Sequence, residues 1–386
     1  MRLLHTSDWH VGRMLRGHER YDEHRAVLAE IAEIARDRAV DAVIVAGDLF
    51  ESSAPAPEAE RIVYRALLDL ADIAPVVVVS GNHDNDRRLL AVEPALAQKG
   101  RITTAASIAK PGEGGIVEID GRDGARANIA MLPWISHRYV VKAQELMDQD
   151  AGEHAGAYAE RMANVINALA AGFGEDTVNV FAGHAMVAGG VLGGGERTAH
   201  TIFDYCISAT AFPAAVHYVA LGHLHRPQQL GAQPPVWYCG SPLQLDFGET
   251  EDRKSVLIVE ATPRTPAVVE QLPLSSGRRL RVLKGSLQQL AALAGTTGDD
   301  YLRIVVREEA RAGLADDVRA MFGECAVDVM IETSAERSLG LDPRAHEGKA
   351  PGDLFREYLA ERKATDERVV ALFDRLLEEE YASPPA

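Results

Sequence analysis

Seven side chains able to bind a divalent cation stand in five short clusters along this chain. They are Asp8 and His10 in Asp8-Trp9-His10, Asp48 after Gly47, Asn82 in Gly81-Asn82-His83-Asp84, His184 after Gly183, and His223 and His225 in Gly222-His223-Leu224-His225. The set mixes carboxylates, imidazoles and one neutral amide oxygen. Such a mixture suits borderline ions such as manganese, iron or zinc better than calcium or magnesium alone. The number of ligands is too large for one ion and about right for two, with one carboxylate shared. Paired ions roughly 3.5–4 Å apart are a known device for in-line displacement at phosphate.

Taken singly, each cluster has an ordinary reading. Asp8 can cap a turn, His10 can be a surface or core histidine, Gly47-Asp48 is a plain strand exit, and Asn82 to Asp84 suits a turn. Gly-His-x-His says more, because alternate residues of an extended segment point to one side. The set as a whole says most, because the clusters follow strand-like runs.

Those runs define the elements that must position the clusters. Arg2 to Leu4, Ala42 to Ala46 and Val76 to Val79 read as strands. Arg20 to Arg38 and Pro57 to Ala71 carry apolar residues at helical spacing, with Pro57 in an allowed first-turn position. Strand, helix, strand, helix, strand implies parallel pairing with crossover helices. Further strands are expected at Asn128 to Leu132, Val178 to Phe181, Tyr218 to Leu221, Val236 to Cys239 and Val256 to Glu260. The glycine-rich stretch Gly189 to Gly195 is expected to be a mobile loop near the site.

The chain has 386 residues, enough for two or three domains, and 47% hydrophobic with 25% charged residues is ordinary for a globular protein. No secretory leader is visible at the N-terminus, and Cys206, Cys239 and Cys325 are too dispersed for a zinc-type pattern, which suits a reducing cytosol. A net charge of −17 argues against unaided binding to a polyanion, so positive charge must come locally, from ions or from a partner. After Ser275-Ser276-Gly277, a linker-like stretch, come strand-like Tyr301 to Val306, helix-like Leu314 to Met321 and strand-like Val327 to Ile331. Leu341 to Gly352 reads as a second linker. Two amphipathic stretches follow: Leu354, Phe355, Tyr358 and Leu359, then Val369, Val370, Leu372, Phe373, Leu376 and Leu377.

The ordered motifs Asp-x-His, Gly-Asp, Gly-Asn-His-Asp, Gly-His and Gly-His-x-His resemble those of the calcineurin-like metallophosphoesterases. The longer runs HTSDWHVG, VDAVIVAGDLFE, VSGNHD, FPAAVHYVALGHLHRPQ and YCGSPLQLDFGE are similar to the SbcD-type nuclease subunits within that superfamily, over roughly the first 260 residues. The resemblance implies an α/β fold: a two-sheet sandwich flanked by helices, with a small α+β capping domain and a C-terminal helical segment. It implies boundaries at 1–275, 276–345 and 346–386.

For the site, the resemblance implies two ions, Mn or alternatively Mg. Asp8, His10, Asp48 and His225 would hold one, and Asp48, Asn82, His184 and His223 the other, with Asp48 bridging. His83 would sit beside the scissile phosphate as the catalytic group, with Asp84 orienting it. Some relatives have a histidine after the Gly-Asp motif; here it is Glu51, an acid that would repel phosphate. The implied activity is 3′–5′ exonuclease and single-strand endonuclease action on DNA ends and hairpins. The implied assembly is a homodimer within a heterotetramer containing an SbcC-type SMC-like ATPase, in the cytoplasm at the nucleoid. Arg13, Arg16, Arg87, Arg88 and Arg226 could contact the DNA backbone, or be plain surface arginines. The C-terminal stretches could dock on the ATPase, or pack on their own chain. The alternatives are a phosphoesterase acting on a nucleotide or other small diester, and a non-catalytic scaffold.

Overall fold

Strand β2 (Ala42–Ala46) is buried along its whole length because it is covered on both faces. Val43 and Val45 pack in the core with helices α1 (Tyr21–Asp37) and α2 (Pro57–Ala71); Ala42, Ile44 and Ala46 pack against a second sheet. Two-sided cover explains why the run is continuously apolar rather than alternating. Its parallel neighbours are β1 (Arg2–Thr6) and β3 (Val76–Val79), and β4 (Ile102–Ala105) extends the parallel set beyond β3. The computed structural model describes residues 1–98, 101–135, 151–196, 206–231, 233–332, 351–361 and 368–374.

The second sheet contains β5 (Ile116–Asp120), β6 (Arg126–Leu132), β7 (Val178–His184), β8 (Tyr218–Gly222), β9 (Gln228–Leu230) and β10 (Val236–Tyr238), in the order β5-β6-β7-β8-β10-β9. The first sheet is completed by β11 (Ser255–Thr262), antiparallel to β1, and by the edge strand β12 (Thr265–Pro273). Leu3, Ile44 and Val77 of one sheet meet Ile129, Val180 and Tyr218 of the other in the sandwich core. Each such fully buried aliphatic side chain contributes about 1.5–3 kcal/mol. The outer face of the second sheet is covered by Met162, Ile166 and Leu169 of the helix Ala151–Ala170, which pack in one core with Phe181.

Two elements that periodicity does not reveal have little buried surface. Helix α3 (Asp86–Gln98) contains Pro94 and buries only Leu89 and Leu96. Strand β12 is mostly exposed and holds two prolines, which suits an edge. Ser275-Ser276 is not a loose linker: Glu30 accepts from both backbone N–H groups at 2.8 Å and from the Ser275 hydroxyl at 2.7 Å.

Beyond it, β13 (Leu280–Gly285), β14 (Tyr301–Val306) and β15 (Ala326–Ile331) form a separate parallel sheet. Leu290 and the helix Leu314–Phe322, through Leu314 and Val318, cover one face. A helix spans Pro351–Glu361, so the expected linker gives way to helix at Pro351, and residues 368–374 are helical too; most of that linker, and Leu376 and Leu377, lie outside the described residues. Phe355 stacks on Phe373 with ring centroids 4.0 Å apart, and Arg356 pairs with Asp374. The two amphipathic stretches therefore pack on each other, yet Tyr358, Val369 and Leu372 stay exposed. Among the described residues no helix is long and apolar enough to cross a membrane.

Candidate metal centre

All five clusters emerge from carboxyl ends of strands: β1, β2 and β3 in one sheet, β7 and β8 in the other. Loop backbones hold them together. The Asp8 N–H donates to the Gly47 carbonyl at 2.9 Å, and the His10 N–H to the Asp48 carbonyl at 3.0 Å. Asp8 (φ 52°), His10 (φ 45°), Asp48 (φ 52°) and His223 (φ 110°) all adopt positive φ. Such conformations in non-glycine residues cost on the order of 1–3 kcal/mol each and concentrate at functional sites. Two glycines are obligatory here. A Cβ on Gly47 would stand 2.3 Å from His184 Nδ1, and one on Gly81 would stand 2.1 Å from Asp48 Oδ1.

The ligand candidates converge. Asp8, His10 and His225 form one buried set whose polar atoms lie within 4.8 Å of one another; Asp8, Asp48 and His184 form a second; His10, Asp48 and His83 a third. Asn82 Oδ1 lies 2.9 Å from both His184 Nε2 and His223 Nδ1. Asp48 sits between the halves. Its Oδ2 is 3.5 Å from His10 Nε2 and 3.5 Å from His184 Nε2, and its Oδ1 accepts the His83 N–H at 2.8 Å.

These contacts bring lone pairs face to face. His10 directs Nδ1 to the Glu51 carboxylate at 3.0 Å, and His184 directs Nδ1 to the Ala46 carbonyl at 2.8 Å. Those oxygens only accept, so each neutral ring carries its hydrogen on Nδ1 and turns an unshared pair at Nε2 toward Asp48. Among the described residues, His10 Nε2 is buried without a hydrogen-bond partner. Burial lowers His10 to about 4 against the pull of Glu51, and burial with the neighbouring His223 lowers His184, so protonation of these imidazoles does not relieve the repulsion near neutral pH. Burial raises Asp8 to about 7 against the pull of His225, and burial together with the Asp84 and Asp8 charges raises Asp48 well above the usual range. A buried group of acceptors facing acceptors fits cations, and a cation would favour the charged carboxylates.

Asp84 accepts from the Phe50 and Gly81 N–H groups at 3.2 and 2.9 Å and so shapes the loops around His83. The His83 Nδ1 meets the Glu51 carbonyl at 2.8 Å. The Glu51 side chain does not face the site as a bare acid, because His10 and the Arg13 guanidinium (2.7 Å) engage it. Nor is the glycine-rich loop left free. The Glu196 carboxylate accepts from Gly193 and Gly194 N–H, both at 2.7 Å, and from the His225 N–H at 3.0 Å.

Sequence reasoning missed Glu196, Glu249 and Trp134. Glu249 Oε1 meets His225 Nδ1 at 3.1 Å. The Trp134 ring stacks on His223, centroids 5.1 Å apart, and meets His184 edge-on at 6.0 Å. Arg13, Arg16, Arg88 and Arg226 pair with Glu51, Asp328, Glu60 and Asp252, respectively.

The model of the family described as calcineurin-like phosphoesterase matches residues 1–227, a span that contains every ligand candidate. The SbcD subunit of the nuclease SbcCD from Bacillus subtilis is 35% identical over 292 residues, covering 72% of this chain and 71% of that protein. The chain belongs to the SbcD family of calcineurin-like phosphoesterases. Two more members carry the same name. The one from Rhodobacter capsulatus is 34% identical, covering 75% of this chain and 76% of its own. The one from Escherichia coli K12 is 31% identical, covering 76% and 73%. A second model, described as type 5 capsule protein repressor C-terminal domain, matches residues 276–363, so the SbcD-family match runs through the three-stranded sheet into the helix Pro351–Glu361.

Proposed function

We propose that this SbcD-family chain is a nuclease subunit that hydrolyses DNA phosphodiesters with two divalent ions, Mn by preference and Mg as the alternative. The observation that carries the reading is the Asp48 Oδ2 atom, 3.5 Å from a histidine of each half. Asp8, His10, Asp48 and His225 would hold one ion; Asp48, Asn82, His184 and His223 the other. When bound, such a pair supplies Lewis-acid charge that activates water and neutralises phosphate oxygens.

The remaining work falls to the chain's own groups. With Nδ1–H committed to the Glu51 carbonyl, His83 exchanges its proton at Nε2 and can protonate the leaving oxygen. Asp84 keeps the loop that carries it in place. The ions answer the net charge of −17 at the point of cleavage, and the nearby arginines, already paired, contribute by exchanging partners.

We further assign residues 1–275 to the phosphoesterase domain, 276–345 to a DNA-capping domain and 346–386 to a helical segment that docks on an SMC-like ATPase of the SbcC kind. The exposed Tyr358, Val369 and Leu372 support the docking role. A homodimer within a heterotetramer, at the nucleoid in the cytoplasm, is the assembly this reading carries from its family. The test is a nuclease assay with Mn or Mg, with and without the ATPase, on hairpin, blunt and single-stranded DNA. Cleavage of ends and hairpins is expected. Hydrolysis of a nucleotide diester alone would favour the small-molecule reading.

A further inference from the structure

His225 is gripped by three groups from two separate stretches. Glu249 Oε1 holds its Nδ1 at 3.1 Å, Lys254 Nζ donates to its carbonyl at 2.9 Å, and Glu196 Oε1 accepts its N–H at 3.0 Å. Glu249 and Lys254 are themselves a buried ion pair at 2.7 Å. Glu249 Oε2 also accepts the Leu245 N–H at 3.0 Å, and Lys254 donates to Ser241 Oγ at 3.0 Å.

A carboxylate only accepts, so a neutral His225 ring bonded to Glu249 carries its hydrogen on Nδ1 and turns an unshared pair at Nε2 toward Asp8 and His10. An acid that fixes the ring and tautomer of a metal-binding histidine also raises its basicity. Glu249 belongs to the short turn Phe247–Glu249, whose Phe247 ring lies 4.5 Å beneath the Arg303 guanidinium of the three-stranded sheet. Gln244 donates to the Glu249 carbonyl at 2.9 Å and accepts the Leu280 N–H at 2.7 Å. The turn that orients His225 is thus built into the contact with the following domain.

We propose that Glu249, neutralised by Lys254, is a positioning residue that fixes His225 for the ion shared with Asp8 and His10, through a turn seated against the three-stranded domain. The inference rests on the two-ion reading above. The competing account is that the buried pair only staples the 241–254 loop, and replacing such a pair with apolar groups is often neutral for stability.

The test is calorimetric titration of the full chain with Mn alone, alongside thermal melting without metal. The unmodified chain comes first. If it does not bind two ions, the functional reading fails before this inference is touched. Glu249→Leu with Lys254→Met removes both charges together. It is expected to weaken one ion by up to about 100-fold and spare the other, with the metal-free melting temperature little changed. Glu249→Gln keeps an acceptor and is expected to cost about tenfold at the same ion. If the double variant does not fold, the Gln variant decides: an unchanged titration overturns the proposal. So does equal weakening of both ions with a lowered melting temperature, the mark of a loop staple.

Discussion

The two halves of the centre are built from different materials. Behind His10 and His225 stand ionised acids, Glu51 and Glu249, each neutralised by a cation, Arg13 or Lys254. Burial alone would raise Glu249, but Lys254 and His225 bring it down to about 2, so it is charged throughout the neutral range. Behind His184 stands the Ala46 carbonyl, and against His223 the Trp134 ring. One half is set by charge in a low-dielectric interior, where such interactions are strong; the other is set by backbone and packing. The halves should therefore respond differently to lost charge and alike to any change at Asp48.

The largest effect is expected at a residue that belongs to neither backing. His83→Ala should lower DNA cleavage by about 10²–10⁴-fold while both ions still titrate. Loss of an ion in that variant would move His83 into the ligand set, as its closeness to His10 and Asp48 permits, and would redraw the halves. Gly81→Ala comes next. Its Cβ would press on the Asp48 carboxylate and backbone, and a displacement of about 1 Å at a reacting centre costs on the order of 10²-fold. Both ions should weaken together; selective weakening of one would show that Asp48 is not common to them.

The smallest effect separates acid sensitivity of the fold from that of the centre. His24 lies on the buried face of α1, where burial lowers it to about 4 against the pull of the Arg20 carbonyl. Unfolded, it titrates near its ordinary 6.5. Its neutral form therefore stabilises the fold fully above that value, and this is lost as pH falls toward 4. Between pH 6.5 and 5 the loss is roughly 2 kcal/mol. His24→Leu should flatten the fall in urea midpoint over that interval. An unchanged slope would mean that His24 is charged in the folded state.

The halves also differ in how far they could be read from the sequence. The ligand candidates follow strands buried on both faces, so runs such as Val76–Val79 and the Gly-His pairs were visible as local patterns. The backing groups were not. Glu249 lies 24 residues after His225 and reaches it only through the fold. It ends the family-like run Phe247-Gly248-Glu249, yet nothing local marks it as a partner of an imidazole. Glu51 was legible as an acid beside the site, but its engagement by His10 and Arg13 depends on the pairing of two loops. The exposed strand β12 and helix α3 escaped because too few of their residues are buried to set a period.

The central claim is that one carboxylate oxygen, Asp48 Oδ2, serves both halves. Calorimetric titration with Mn of the unmodified chain, Asn82→Ala and Asp48→Ala tests it most directly. Two ions are expected in the first, selective weakening of one in the second, and weakening of both in the third. An Asp48→Ala chain that still bound either ion at full affinity would contradict the account.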